Sequence, residues 1–214
     1  MAKKGVIVID PGHGGSAIVG GSSPNNATAP SGVLEKNITL SMAFLTRDAI
    51  LAAAAADGHT IDVVLTRDED KNLGLSDRAR VSRMHDADVM LSIHCNAFDK
   101  SARGVETLIR IKADNPNHAD DRALATTVQQ AVLGAIQSFD AATKDRGVKD
   151  QKLGVLNDQF LGAKTKACLV ELEFIDVPAV DMLLNIGPKS SEVRQSIATA
   201  IAGALLEHLP EKTA

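Results

Sequence analysis

Tryptophan and tyrosine are absent from this 214-residue chain, and five phenylalanines are its only aromatic residues apart from histidine. A site built here cannot grip sugar rings by Trp or Tyr stacking, which favours one that holds peptide and polar groups. Cysteine is scarce too. Cys95 and Cys168 stand alone, which excludes a disulfide scaffold and any CxxC motif and leaves two buried thiols as the expectation. Basic residues are not in excess: 23 Lys+Arg face 27 Asp+Glu, for a net charge of −4. No nucleic-acid-binding surface is expected from that balance. No uninterrupted apolar run approaches the roughly 18 residues of a membrane span, so no membrane anchor is expected. The apolar run after Lys3-Lys4, Val6 to Ile9, stops at Asp10, short of the roughly 7–15 residues of a secretory core. The chain is therefore expected to be synthesised in the cytoplasm without a signal peptide.

What is present is ordinary globular composition, 44% apolar and 23% charged, with no repeat, low-complexity linker or composition break. One domain over 1–214 is the expectation. Gly5–Ile9, Ile61–Thr66, Val89–His94, Gly104–Ile111, Val155–Leu156 and Ala167–Leu172 read as strands. Helical patterns start at Glu35 (Ile38, Met42, Leu45 and Ala49 on one face), run from Leu75 to His85 and from Asp120 to about Phe139, and fill the tail, where Val193, Ile197, Ile201 and Leu205 recur every fourth residue. Such alternation predicts an α/β fold: a single-domain three-layer sandwich whose mixed, mostly parallel sheet is flanked by helices. The Gly/Ser/Asn/Pro-rich stretch from Pro11 to about Gly32 is long for a connection and is a candidate functional loop.

Three polar residues fall near strand ends: His13 in Asp10-Pro-Gly-His-Gly-Gly15, His94 in Ser92-Ile-His-Cys-Asn-Ala97, and Glu171 in Leu169-Val-Glu-Leu-Glu-Phe174. Ligands of open α/β sheets gather at the carboxyl ends of strands. Two imidazoles and a carboxylate form a zinc-ligand set that leaves a fourth position open. Glu35 can supply that carboxylate across the Gly/Ser loop, with Glu171 as a general base. Each residue also has a plain structural use. A histidine near a strand end is commonly just hydrogen-bonded, and Glu35 is well placed at a helix N-terminus. Glu171 is less ordinary, because an ionised carboxylate in an apolar run is costly unless paired. Glu173 lies on the same face by the two-residue period, so spacing does not choose between the two.

Taken in order, these stretches resemble the Amidase_3 family of zinc-dependent N-acetylmuramoyl-L-alanine amidases. Val8-Ile-Asp-Pro-Gly-His-Gly-Gly15 is similar to its opening motif and Leu34-Glu-Lys-Asn37 to its second. Leu65-Thr-Arg67 with Leu75-Ser-Asp-Arg78 follows, then Ser92–Ala97 with Gly104-Val-Glu106. Arg146-Gly-Val-Lys149, Val155-Leu156 and Leu169-Val-Glu171 with Phe174-Ile175 complete the series. The resemblance implies one Zn2+ per chain on His13, Glu35 and His94, with Glu171 as the catalytic glutamate. It also marks two departures. Glu173 stands where the family usually has glycine, and the 14–34 loop is longer than usual, either a surface insertion or a substrate-facing flap. Members regulated in cell division carry a long segment over the zinc after the second-histidine motif. Only Phe98 to Arg103 lies there in this chain, so no plug is expected.

The implied reaction is hydrolysis of the amide between N-acetylmuramic acid and L-alanine in peptidoglycan. Glu171 serves as proton acceptor and donor. Asn96 or the glycine-turn amides are candidates to hold the oxyanion, Asp10 or Glu106 to orient a ligand imidazole, and Arg146 and Lys149 to pair with a stem-peptide carboxylate. For Arg146 and Lys149, solvated surface charge is the plain alternative. No separate wall-binding module is expected. A signal-less, plug-free amidase fits a phage or prophage endolysin that reaches the wall after release; an injected antibacterial toxin is the alternative delivery. Another zinc peptidase remains open, although no HExxH occurs. So do a catalytically dead binding module and Cys95 acting as a nucleophile beside His94.

Overall fold

A computed structural model describes residues 2–211. In chain order the elements are β1 (Lys4–Pro11), α1 (Glu35–Asp57), β2 (Thr60–Leu65), α2 (Leu75–Met84), β3 (Val89–Asn96), β4 (Val105–Ile109), α3 (His118–Gln137), β5 (Asp145–Asp150), α4 (Asp158–Leu161), β6 (Lys166–Phe174), α5 (Pro178–Asp181) and α6 (Ser190–Glu207). The six strands form one sheet in the order β2-β1-β3-β6-β4-β5. Every neighbouring pair is parallel except β4 and β6, which run antiparallel. The expected mixed sheet and three layers are thus present.

The near-continuous apolar runs of β1 and β3 follow from burial on both faces of a central strand. Ile7, Ile9, Val89, Leu91 and Ile93 face α1, α3 and α6, whereas Val8 and Met90 face Ala79 of α2 and Leu161 of α4. The four-residue stripe of α6 is wholly buried in the first layer. At about 1.5–3 kcal/mol per fully buried aliphatic side chain, its four residues are a main source of stability there. Helix α1 ends where Gly58 turns left-handed, φ 69°, a backbone that glycine adopts freely. By length and composition α1 suffices to cross a membrane, with a mean hydropathy of 1.4 over 18 residues, a feature that counting uninterrupted apolar runs misses. Here it lies on the sheet, with Ile38, Met42 and Ile50 buried.

Two local readings need correction. Val155 and Leu156 form a turn rather than a strand; they are apolar because they pack beneath α2 and α4. The sixth strand is instead β5, Asp145–Asp150, an edge strand of mostly polar residues that carries no hydrophobic signal.

Candidate active site

β1 and β3 are adjacent and parallel, so their carboxyl ends deliver His13 and His94 to the same place. The rings lie edge to face, with centroids 4.8 Å apart. Glu35, the first residue of α1, points between them. Its Oε1 lies 3.1 Å from His13 Nε2 and 3.1 Å from His94 Nδ1. Its other donors are the backbone amides of Ala27, on Oε2, and Cys95, on Oε1, each at 3.0 Å. Only 1% of Glu35 is exposed. Burial raises its pKa, but hydrogen bonds and charge from His13 and His94 outweigh that and bring it to about 2. The same contacts act reciprocally on His13: burial lowers its pKa, and the Glu35 carboxylate more than restores it, leaving it raised. These three residues offer donor atoms within 4.8 Å of one another, a set that suits a metal ion.

The backbone around them is built for close approach. The His94 ring lies on Gly12: a Cβ there would sit 2.3 Å from His94 Cε1. His13 itself has φ 62°, a left-handed conformation that costs a non-glycine residue about 1–2 kcal/mol. Two arginines hold this turn. Arg78, 1% exposed, donates to Asp10 Oδ1 (2.8 Å) and to the carbonyls of Pro11 (2.7 Å), His13 (2.7 Å) and Leu73 (3.1 Å), with Asn72 Oδ1 at 3.0 Å. Arg67 reaches the carbonyls of Pro11, Gly12 and Lys36, joining the turn to the start of α1. Both arginines belong to the family-like stretches, but spacing assigned them no task.

The long loop is more than a surface insertion. His13 Nδ1 lies 3.0 Å from the Ser23 carbonyl and 3.1 Å from its hydroxyl, so the loop orients the imidazole whose Nε2 faces Glu35. Gly21, Ser22 and Ser23 line, with His13, His94, Leu75 and Val155, a cavity of about 140 Å3. Asn72 ties the loop down through the Ala17 and Ser22 carbonyls. Residue types could not reveal Ser23, because its carbonyl is a backbone atom.

Asp10 and Glu106 do not orient a ligand imidazole. Asp10 is sequestered by Arg78, Thr66 and Ser92. Burial raises its pKa, but Arg78 and the two hydroxyls bring it below the usual value. Glu106 accepts from Asn96 (3.1 Å), Arg146 (2.8 Å) and Lys149 (2.5 Å). Arg146 and Lys149 are therefore engaged by a protein carboxylate, and the Asn96 amide is committed to it as well.

Glu171 stands beside this group, in register with His94 on β3 and with Glu106 on β4. Its Oε2 has no hydrogen-bond partner among the described residues. Burial, then the charges of Glu35 and Glu106, push its pKa well above 4.5. A carboxyl with a raised pKa and an unpartnered oxygen beside a group that could hold a metal ion is a pattern that hydrolytic centres use. Glu173 differs: it is fully buried and saturated with donors. Cys95 is also buried, and burial, with Glu35 next, pushes its thiol well above 9.0, which disqualifies it as a nucleophile.

The family model of N-acetylmuramoyl-L-alanine amidases, Amidase_3, matches residues 7–207. The chain belongs to this family. Its fold is that of an N-acetylmuramoyl-L-alanine amidase domain. The chain is 30% identical over 205 residues to an uncharacterised cell wall amidase of Bacillus anthracis, covering 94% of this chain but only 35% of that protein. It is 28% identical to the endolysin of Bacillus phage SPP1, over 94% of this chain and 66% of the endolysin. The crystal structure of an N-acetylmuramoyl-L-alanine amidase from Clostridium difficile 630 superposes with a TM-score of 0.75 at 26% identity, covering 96% and 97% of the two chains.

Proposed function

We propose that this amidase is a one-zinc enzyme in which His13 Nε2, His94 Nδ1 and Glu35 Oε1 hold the metal and Glu171 moves the proton. The observation that carries the reading is the convergence of two imidazole nitrogens on one oxygen of a buried carboxylate. Zinc in such a site supplies a Lewis acid for the scissile carbonyl and an acidified water. The chain's own residues do the remainder. Glu171, whose pKa burial raises, exchanges one proton between water and the leaving amine of L-alanine. Glu106 keeps its carboxylate ionised: burial opposes this, but Lys149, Arg146 and Asn96 prevail. It thereby keeps a fixed negative charge beside Glu171. The Ser23 side of the loop walls the cavity beside the two histidines.

The biological setting that fits is that of an endolysin acting on the wall after release. The likeness to the SPP1 endolysin supports it, as does the short Phe98–Arg103 connection, folded onto Asp176 and Glu173.

Digestion of purified peptidoglycan, read by mass spectrometry, tests the chemistry. Wild type should release stem peptides with a new L-alanine amine. Chelation should abolish this and zinc should restore it. Glu171→Gln should lose about 10^2–10^4-fold in kcat with its zinc retained. Full activity in Glu171→Gln, or cleavage indifferent to chelation, would refute the assignment. For the setting, producing cells should keep intact walls until their membrane is permeabilised, and then lyse. Wall loss without permeabilisation would refute the endolysin reading.

A further inference from the structure

The catalytic strand β6 is bulged at its functional end. His94 pairs with Glu171 and Asn96 with Phe174, so one step of two residues on β3 faces three on β6. Bulges re-aim side chains next to active sites, at the expense of the regular ladder. Glu173 lies inside this bulge, fully buried. Its Oε1 accepts from Arg103 Nε (2.8 Å) and Thr143 Oγ1 (3.0 Å), and its Oε2 from the amides of Gly104 (2.8 Å) and Phe174 (2.9 Å). Arg103 extends the junction through Nη2 to Asp140 (2.8 Å) and Thr143 (3.0 Å). One carboxylate thus joins three segments: the end of β6, the entry to β4 and the turn before β5.

Each segment carries a residue of the site at short chain distance. Glu171 is two residues before Glu173, Glu106 two after Gly104, and Arg146 three after Thr143. Glu106 and Arg146 are bonded to each other, and Glu106 faces Glu171 across the β4–β6 ladder. A groove of about 340 Å3 opens over the same elements, lined by Asn96, Phe98, Glu106, Arg146 and Phe174. Gly104 has φ 128°, and a Cβ there would meet the Lys144 carbonyl at 2.4 Å, so this entry to β4 has little room to shift.

We infer that Glu173 is a positioning residue: its buried contacts with Arg103, Gly104 and Thr143 fix the β6 bulge and thereby the aim of Glu171 against Glu106 and Arg146. A buried carboxyl group with four donors, one of them an arginine, is satisfied where a lone one would not be. Loosening it displaces the proton-carrying residue by fractions of an ångström, which suffices to slow the chemistry. This rests on Glu171 being the general base.

The test is steady-state kinetics on a soluble muramoyl-peptide, with zinc content and melting temperature, for Glu173→Gln, Arg103→Lys and Glu171→Gln. Glu173→Gln keeps the shape but weakens the junction, and should lower kcat about 10-fold or more, with KM within about 3-fold and zinc unchanged. Arg103→Lys keeps the charge, cannot span Glu173 and Asp140 with one fork, and should show the same split; it serves if Glu173→Gln does not fold. Wild-type kcat in a folded variant of either residue, while Glu171→Gln is dead, would overturn the inference alone. An active Glu171→Gln would overturn the reading on which it rests.

Discussion

Replacing Arg78 by methionine should cost more than any surface change in this protein, and the structure shows why. The substitution keeps the volume but removes five donor contacts, to Asp10, Asn72 and the carbonyls of Pro11, His13 and Leu73. Asp10, fully buried, would keep only the hydroxyls of Thr66 and Ser92. Breaking one partner of a buried pair leaves an uncompensated charge and costs about 3–5 kcal/mol. For a domain of this size that corresponds to a fall in melting temperature of roughly 6–20 °C. Without tryptophan, urea unfolding is best followed by far-ultraviolet circular dichroism.

Two further readouts tie the loss to charge and to the site. Asp10 has a depressed pKa in the folded wild type, so its contribution is present above its unfolded value of 3.8 and lost as pH falls through its folded value. The gap between wild type and Arg78→Met should therefore narrow in acid, and Asp10→Asn should recover part of it. The His13 carbonyl, no longer held, should let its left-handed backbone relax, and zinc affinity should fall about 10–100-fold. A stability loss under about 1 kcal/mol, or a gap that stays equal between pH 7 and a pH well below 3.8, would refute this account.

Gly12→Ala should abolish activity while the chain stays folded, because the new methyl group overlaps His94 Cε1; zinc content and circular dichroism check it. In the metal-stripped protein, the depressed Glu35 contributes stability above pH 4.5, lost as pH falls toward 2, while the raised His13 contributes below pH 6.5, lost as pH rises through its folded value. Stripped protein should thus melt highest, as regards this pair, between about pH 4.5 and 6.5, and zinc binding there should release a proton, which calorimetry in two buffers detects. Cys95 and Cys168 are buried with thiols pushed well above 9.0, so thiol-blocking reagents should leave both unmodified and activity intact.

Glu171 and Glu173 show where reading the sequence stops. The residues that converge were visible in advance because strand ends and a helix start bring them together by topology: His13, Glu35 and His94 meet, with Glu171 in register. Hydrophobic periodicity likewise revealed β1, β3, α1 and α6, whose burial demands it. The β5 strand stayed hidden because an edge strand of charged residues needs only backbone bonds. The partners of Asp10, Glu106 and Arg146 were misjudged for a related reason. Charge says that a group needs a partner, but the register of distant strands decides which one, and Glu106 meets Arg146 and Lys149 only because β4 lies beside β5. A period of two places Glu171 and Glu173 on the same face, but it has no term for an inserted residue. Two carboxyl groups two positions apart thus acquire opposite environments, one with a buried oxygen that lacks a donor, the other saturated with donors. That asymmetry, rather than either residue's type, is what the roles proposed for them rest on: Glu171 to exchange a proton, Glu173 to hold still.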